Sequence, residues 1–393
     1  MNTPSSPKLQ VSAWPKHVAG VVLILSLAAG ALSTLTAAVT GQLDLSASAW
    51  SFKDIISGKS ANRLASELDS TLFAQTLAKA ERAAQWLMTG TLDSRVRKGC
   101  DPWLFLEDEL LVHPNAGLNQ QKRLETVLQV QDILKKKGAQ LIVATVPDKS
   151  RIQHEQLCDV YRPASLDARL DHWESALDSH KVAVAKLSPA LQEMASASGN
   201  PPFLKSDTHW SQSGAYAAAN SILAKVDELG LELKPKRSYA VSEGAAAPRP
   251  GDLIRLAGLD WLPPSWQPEP DIVKPIKVQA TQAEPSSSEN IADQLFGDSQ
   301  LPTTALIGTS FSRTSEFAPQ LEMLLQTTVP NFAVDGGDFW ASASKYLESE
   351  EFKNSPPRLV IWEIPERVLQ MPISDREQSW MQKLAGQSKA KQP

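Results

Sequence analysis

Apolar and polar positions along the chain separate one long uncharged run from a body of short apolar bursts spaced by periodic segments. Val18 to Val39 carries no charge over roughly 22 mainly apolar residues, enough to cross a bilayer as a helix. Lys8, Lys16 and His17 precede it, and no Asp or Glu appears before Asp44. That charge bias keeps the N-terminus in the cytoplasm and exports the body. An uncleaved anchor is the favoured reading; a signal peptide cut near Thr36-Ala37-Ala38 is the other, and both export the body.

Beyond a linker over 40–60, Arg63 to Met88 has the helical spacing of an amphipathic segment, and 90–99 is a turn region. Trp103 to Leu106 predicts a short strand, Asn119 to Lys137 a helix stopped at Gly138, and Leu141 to Val146 a fully buried strand ended by Pro147. A helix near Leu166–Ser179 and a strand near Val182–Leu187 come next. Ser211 or Ser213 can cap a helix from Ala215 to Leu229. The stretch from Pro235 to about Ser299 is rich in Pro, Ser and Glu but holds Trp261 and Trp266. It is expected as a long insertion lying on the body, loosest at Ala283–Glu289. The pattern resumes with a strand at Thr304–Gly308, a helix at Glu316–Thr327, a short strand at Phe332–Val334, a helix at Trp340–Phe352 and a strand at Leu359–Ile364. Strands alternating with helices predict an α/β fold with a mainly parallel sheet flanked by helices. The expected organisation is an anchor over 1–45, a linker and amphipathic helix over 46–95, one domain over 96–375 with the insertion at 235–299, and a polar tail over 376–393.

Composition narrows the classes. The 393 residues carry a net charge of -5, with no basic stripe interleaved with aromatics, which argues against nucleic acid. Cys100 and Cys158 are too few for a disulfide framework; they form one bridge or remain two thiols. No metal spacing or Gly-rich phosphate loop occurs, so no cofactor is expected. His172 beside Asp171 and the acids Glu348, Glu350 and Glu351 are expected on solvated surface, and the Gly336-Gly337-Asp338 turn before a helix is expected to be structural.

The chemistry concentrates in two places. Ser206-Asp207-Thr208-His209-Trp210-Ser211 supplies an acid and a base two residues apart, and Gly308-Thr309-Ser310-Phe311-Ser312 supplies a hydroxyl just past a strand. Ligands of open α/β sheets bind at such carboxyl ends. Ser310, nearest the strand, is preferred to Ser312 as nucleophile, His209 is the base, and Asp207 orients it. Gly308 or the start of the following helix could donate to an oxyanion. Trp210 and Trp340 are candidate platforms for sugar rings, though core packing suits them better. Lys149 and Arg313 could attract an anionic polymer, but isolated charges are usually surface pairs of little worth.

Five stretches then match together and in order: Asp101-Pro102-Trp103-Leu104-Phe105, Val146-Pro147-Asp148-Lys149, Asp207-Thr208-His209-Trp210, Gly308-Thr309-Ser310-Phe311-Ser312 and Ile361-Trp362-Glu363. Over residues 95–370 the sequence resembles the AlgJ/AlgX-type alginate O-acetyltransferases, whose domain is like the SGNH hydrolases. The resemblance is to the membrane-anchored AlgJ-like members, since no carbohydrate-binding domain is expected after residue 370. It implies a triad of Asp207, His209 and Ser310, with Asp-His before Ser in an order permuted from ordinary SGNH hydrolases. It also implies a periplasmic enzyme on the inner membrane that acetylates a secreted polysaccharide. Its implied partners are the polysaccharide acceptor, a multi-span membrane acyltransferase that supplies acetyl groups, and other exopolysaccharide assembly proteins. Cys100 and the long insertion depart from the pattern and bear on polymer choice more than on chemistry. Two alternatives stand beside it: a polysaccharide acetyl esterase with the same triad, and a non-catalytic membrane-anchored polysaccharide-binding scaffold.

Overall fold

The computed structural model describes residues 13–43, 51–92, 95–197, 199–281 and 301–389. The expected loose stretch Ala283–Glu289 lies outside the described residues. The chain divides into two units, Met1–Gly90 and Thr91–Pro393.

In the first unit, Ala13–Val39 is one helix, and its His17–Val39 stretch has a mean hydropathy of 2.2 with its apolar side chains turned outward. That is the surface lipid would accept and water would not. The expected helix from Arg63 to Met88 is two, Lys59–Asp69 and Leu72–Thr89. Ser70 and Thr71 break it: each hydroxyl donates to a backbone carbonyl three residues back, and Thr71 leaves the helical conformation.

The second unit is built on a four-stranded parallel sheet of β3 (Gln140–Val146), β4 (Ala183–Ala185), β9 (Thr304–Ile307) and β10 (Leu359–Pro365), in the order β4-β3-β10-β9. The remaining strands form three two-stranded antiparallel sheets: β1 (Val96–Lys98) with β2 (Leu104–Leu106), β5 (Ser238–Glu243) with β8 (Ile276–Thr281), and β6 (Ala247–Arg249) with β7 (Asp271–Val273). In the central sheet Leu359 pairs with Gln140 on one side and Thr304 on the other. Alternate residues serve opposite faces. Ile142, Ala144, Leu306 and Ile361 meet the helices Ser188–Ser196, Gln212–Glu228 and Phe317–Leu325. Leu141, Val143, Ala305, Ile307 and Trp362 meet Ala116–Lys136, Arg169–Ser179 and Ala341–Glu348. Both faces are covered, which is why these strands read as unbroken apolar runs.

Several expectations change in detail. The region 331–334 makes one parallel bridge beside β9, extended by hydrogen bonds from Phe332 and Val334, rather than a full strand. The helix expected over Trp340–Phe352 breaks at Ser349, which ends one helix and caps Glu350–Asn354 by accepting from the Phe352 N–H. The expected polar tail is the helix Asp375–Lys389, with Trp380, Met381 and Leu384 in the core. Its Glu377 takes Nε and Nη2 of the buried Arg123 guanidinium, whose Nη1 donates to the carbonyls of Leu369 and Met371. This bidentate pair lies 254 residues apart in sequence and has no local signature. Cys100 and Cys158 are joined by a disulfide.

Candidate active site

The carboxyl ends of β3, β9 and β10 lead into Asp148-Lys149, Gly308-Thr309-Ser310 and Glu366, so the sheet gathers these turns along one edge. Ser310 opens a 3-10 turn, Ser310–Arg313, directly after β9. Glu363 of β10 holds that turn from below. It accepts from the Thr309 N–H at 2.6 Å, the Thr309 hydroxyl at 3.1 Å and the Ser312 hydroxyl at 3.0 Å. Burial pushes the Glu363 carboxyl above its ordinary value, and those donors pull against the rise. Ser312 is therefore fully buried and committed to Glu363, which separates it from Ser310. Gly308 permits the packing: a Cβ there would stand 2.5 Å from a Glu363 oxygen.

Asp207 and His209 lie in the loop before the Gln212–Glu228 helix, whose start Ser211 caps by accepting from the Gly214 N–H. His209 Nε2 is 2.7 Å from Ser310 Oγ, and His209 Nδ1 is 2.6 Å from Asp207 Oδ1. The same oxygen accepts the His209 N–H at 3.0 Å, a turn that lets residues two apart meet. The structure thus brings together all three residues singled out from the sequence. Burial raises the Asp207 carboxyl, but the hydrogen bonds and charge of His209, with Arg249 3.6 Å away, outweigh it and hold the group well below the usual carboxylate range.

The insertion closes this loop from outside. Gly251 approaches so closely that a Cβ would stand 1.8 Å from the Ser206 carbonyl oxygen. The short helix Asp252–Leu256 comes directly after it. Asp252 accepts from the Thr208 N–H at 2.7 Å and the Thr208 hydroxyl at 2.6 Å, and its Oδ2 is 3.5 Å from His209 Nδ1. Asp271 of β7 accepts from the N–H groups of Lys205 and Ser206 and from the Ser206 hydroxyl. A cavity of about 710 Å³ opens on the outer side of Asp207, between Arg249, Asp252, Arg255 and Gln267. Asp207, His209 and Asp252 are close enough to suggest a cation site, with donor atoms within 4.8 Å of one another. Both ring nitrogens of His209 are already committed, to Ser310 and Asp207, which leaves no lone pair for a metal.

Other candidates fall elsewhere. Lys149 is no surface charge: it is fully buried and donates to the carbonyls of Leu104, Lys205 and Asp207 at 2.6, 2.9 and 2.9 Å. Its ammonium also lies over the Trp103 and Phe105 rings. Burial lowers its pKa to about 8 against the pull of Glu109, Asp271, Asp207 and Asp252. Arg313 is exposed and 3.6 Å from Asp335. Trp210 packs fully buried against Phe311 and Phe317, so it is core and not a platform; Trp340 is half-buried beside Trp380. Gly308 cannot serve as an oxyanion donor, because its N–H goes to Ser342 Oγ at 2.9 Å. His172, Asp171, Glu348, Glu350 and Glu351 are exposed, as expected. Sequence reasoning missed Asp252, Arg249, Asp271 and Glu363 as parts of the site. Only Glu363 carried a signal, an acid inside the otherwise apolar β10.

Comparison with known proteins gives the same frame. The family profile for the SGNH hydrolase-like domain of the acetyltransferase AlgX matches residues 96–366. A Pseudomonas putida protein described as "Probable alginate O-acetylase AlgJ" is 35% identical over 301 residues, covering 75% of this chain and 76% of its own. The solved O-acetyltransferase domain of Pseudomonas putida AlgJ superposes with a TM-score of 0.63 at 28% identity, over 74% of this chain and 99% of that domain. Pseudomonas aeruginosa AlgX shares the fold, with a TM-score of 0.53 at 21% identity over 74% and 67% of the two chains. The α/β body, its parallel sheet and the match across 96–366 lead to one conclusion: this chain belongs to the AlgJ/AlgX family of SGNH hydrolase-like O-acetyltransferases.

Proposed function

We propose that the chain transfers acetyl groups to hydroxyls of a secreted polysaccharide through Ser310, His209 and Asp207. The observation that carries this reading is the His209 ring, set between Ser310 Oγ at 2.7 Å and Asp207 Oδ1 at 2.6 Å. His209 Nε2 takes the Ser310 proton as Oγ attacks the acetyl carbonyl of the donor. The Asp207 carboxylate stabilises the imidazolium, and the Ser310 N–H at the head of its turn is the donor we assign to the developing oxyanion. Collapse expels the donor's leaving group with the proton from His209 and leaves acetyl on Ser310. A sugar hydroxyl then gives its proton to His209, attacks the acetyl-serine, and leaves as the sugar ester while Ser310 recovers its hydrogen.

The names of the relatives favour alginate as the polymer. The apolar Ala13–Val39 helix suits an anchor in the inner membrane that leaves residues 96–375 in the periplasm. There a multi-span membrane acyltransferase would supply acetyl groups and other exopolysaccharide assembly proteins would present the polymer. The test incubates the detergent-solubilised full chain with a chromogenic acetyl ester and an oligoalginate, following the acetyl group by mass spectrometry. Acetyl on the sugar, lost in Ser310→Ala, is the expected result. Acetate as the sole product with every acceptor would make the protein an esterase, and equal transfer by Ser310→Ala would overturn the triad.

A further inference from the structure

The 235–299 insertion places a second carboxylate at the catalytic imidazole. Asp252 Oδ2 lies 3.5 Å from His209 Nδ1, on the side opposite Ser310 and behind the Asp207 contact. Both Asp252 oxygens accept from Thr208, one from its N–H and one from its hydroxyl, the acceptor role of a carboxylate, and these bonds pull against burial and Asp207, which raise its carboxyl above the ordinary value. The Thr208 oxygen is itself 3.2 Å from His209 Nδ1 and bridges the two. The Asp252 N–H reaches the other oxygen of Asp207 at 3.3 Å, which ties the two acids into one unit. Gly251, which no side chain could replace, brings the insertion this close.

We propose that Asp252 is a positioning residue for the reaction, a second anion that stabilises His209 in its protonated form. The inference rests on the Ser310–His209–Asp207 reading. The charges facing the ring are Asp207 and Asp252, with Arg249 3.6 Å from Asp207, Lys149 bound to the Asp207 carbonyl, and Arg367 5.6 Å from the centre of the Phe311 ring, which packs on His209. Arg249 offsets Asp207, while among the described residues no Lys or Arg side chain forms an ion pair with Asp252, although the buried Lys149 feels its charge. An anion at this distance attracts the positive charge that the ring gains when it takes the Ser310 proton. The insertion thus supplies part of the relay as well as covering it.

The experiment measures kcat/KM against pH for acetyl ester turnover by the full chain, comparing wild type with Asp252→Asn, Asp252→Glu and Thr208→Val. The acid limb of that profile reports the base of the free enzyme. Asp252→Asn removes the charge and keeps the shape: the acid limb should move down by about one pH unit, with a plateau lower by about tenfold. Asp252→Glu should hold the wild-type limb, and Thr208→Val, which removes one donor that keeps Asp252 ionised, should move it down by less than Asp252→Asn does. A limb that stays in place in Asp252→Asn, whether or not the plateau falls, overturns the electrostatic role. Should Asp252→Asn fail to fold, the Thr208→Val and Asp252→Glu profiles decide: a limb left unmoved by the first, or moved by the second, overturns it. Turnover by Ser310→Ala at the wild-type rate would instead sink the triad itself, a separate failure from an unmoved limb.

Discussion

Glu363 tests whether the serine turn is built from beneath. Glu363→Ala strands three buried donors: the Thr309 N–H, the Thr309 hydroxyl and the Ser312 hydroxyl. A buried donor left without an acceptor costs about 1–3 kcal/mol. The two hydroxyls can rotate toward each other, whereas the amide cannot, so the amide dominates. The cavity left by the side chain adds to the loss, while release of a carboxylate that burial disfavours returns part of it. The net expectation is about 2–4 kcal/mol, read as a lower urea midpoint at unchanged slope. Glu363→Gln keeps one carbonyl oxygen for the Thr309 N–H and an amide that either hydroxyl can meet, so it should lose only about 1 kcal/mol. The functional effect should be larger than the structural one. A shift of the turn by about 1 Å takes Ser310 out of line with His209, and such misplacement costs on the order of 100-fold in rate. Turnover of a chromogenic acetyl ester by the folded variant, measured well below its urea midpoint, checks this. If Glu363→Ala kept both the wild-type midpoint and the wild-type rate, the turn would not depend on this acid.

Lys149→Met removes the three bonds that tie β2 to the Asp207 loop and should destabilise by about 2–4 kcal/mol, seen in thermal unfolding, with turnover lost in the remaining folded fraction. Reduction of the Cys100–Cys158 bridge, which closes a separation of 58 residues, should cost about 4 kcal/mol by loop entropy, measured as the urea midpoint with and without dithiothreitol. Burial lifts Glu174 from 4.5 to about 7, against the pull of Lys186, and one of its carboxylate oxygens is buried without a hydrogen-bond partner among the described residues. A carboxyl raised on folding contributes stability below its unfolded pKa that is lost as pH climbs through the folded one. Glu174→Gln should therefore match wild type near pH 4 and exceed it by up to roughly 3 kcal/mol at pH 8, in urea melts at both values.

The α/β class, the order of the main strands and the residues Asp207, His209 and Ser310 were legible in the sequence, because each depends on local pattern. A strand buried on both faces must be apolar throughout, as Leu141–Val146 and Leu359–Ile364 are, and a serine just past such a strand stands at the sheet edge where ligands bind. The outward apolar helix near the N-terminus is legible for the same reason. What surrounds the three residues is not local. Asp252 meets Thr208 across 44 residues and Glu363 meets Thr309 across 54, and nothing in a Pro-rich insertion distinguishes Asp252 from its other acids. Lys149 looked like a surface charge because its three acceptors are backbone carbonyls, which carry no side-chain signature. The terminal helix looked like a polar tail because its few apolar residues become core only when Arg123, far away in sequence, is there to pair with Glu377. Sequence sets which elements form and which side chains can do chemistry. Only the packed structure decides which distant charges and donors those side chains meet, since a buried polar group takes its partner from whatever the fold brings beside it.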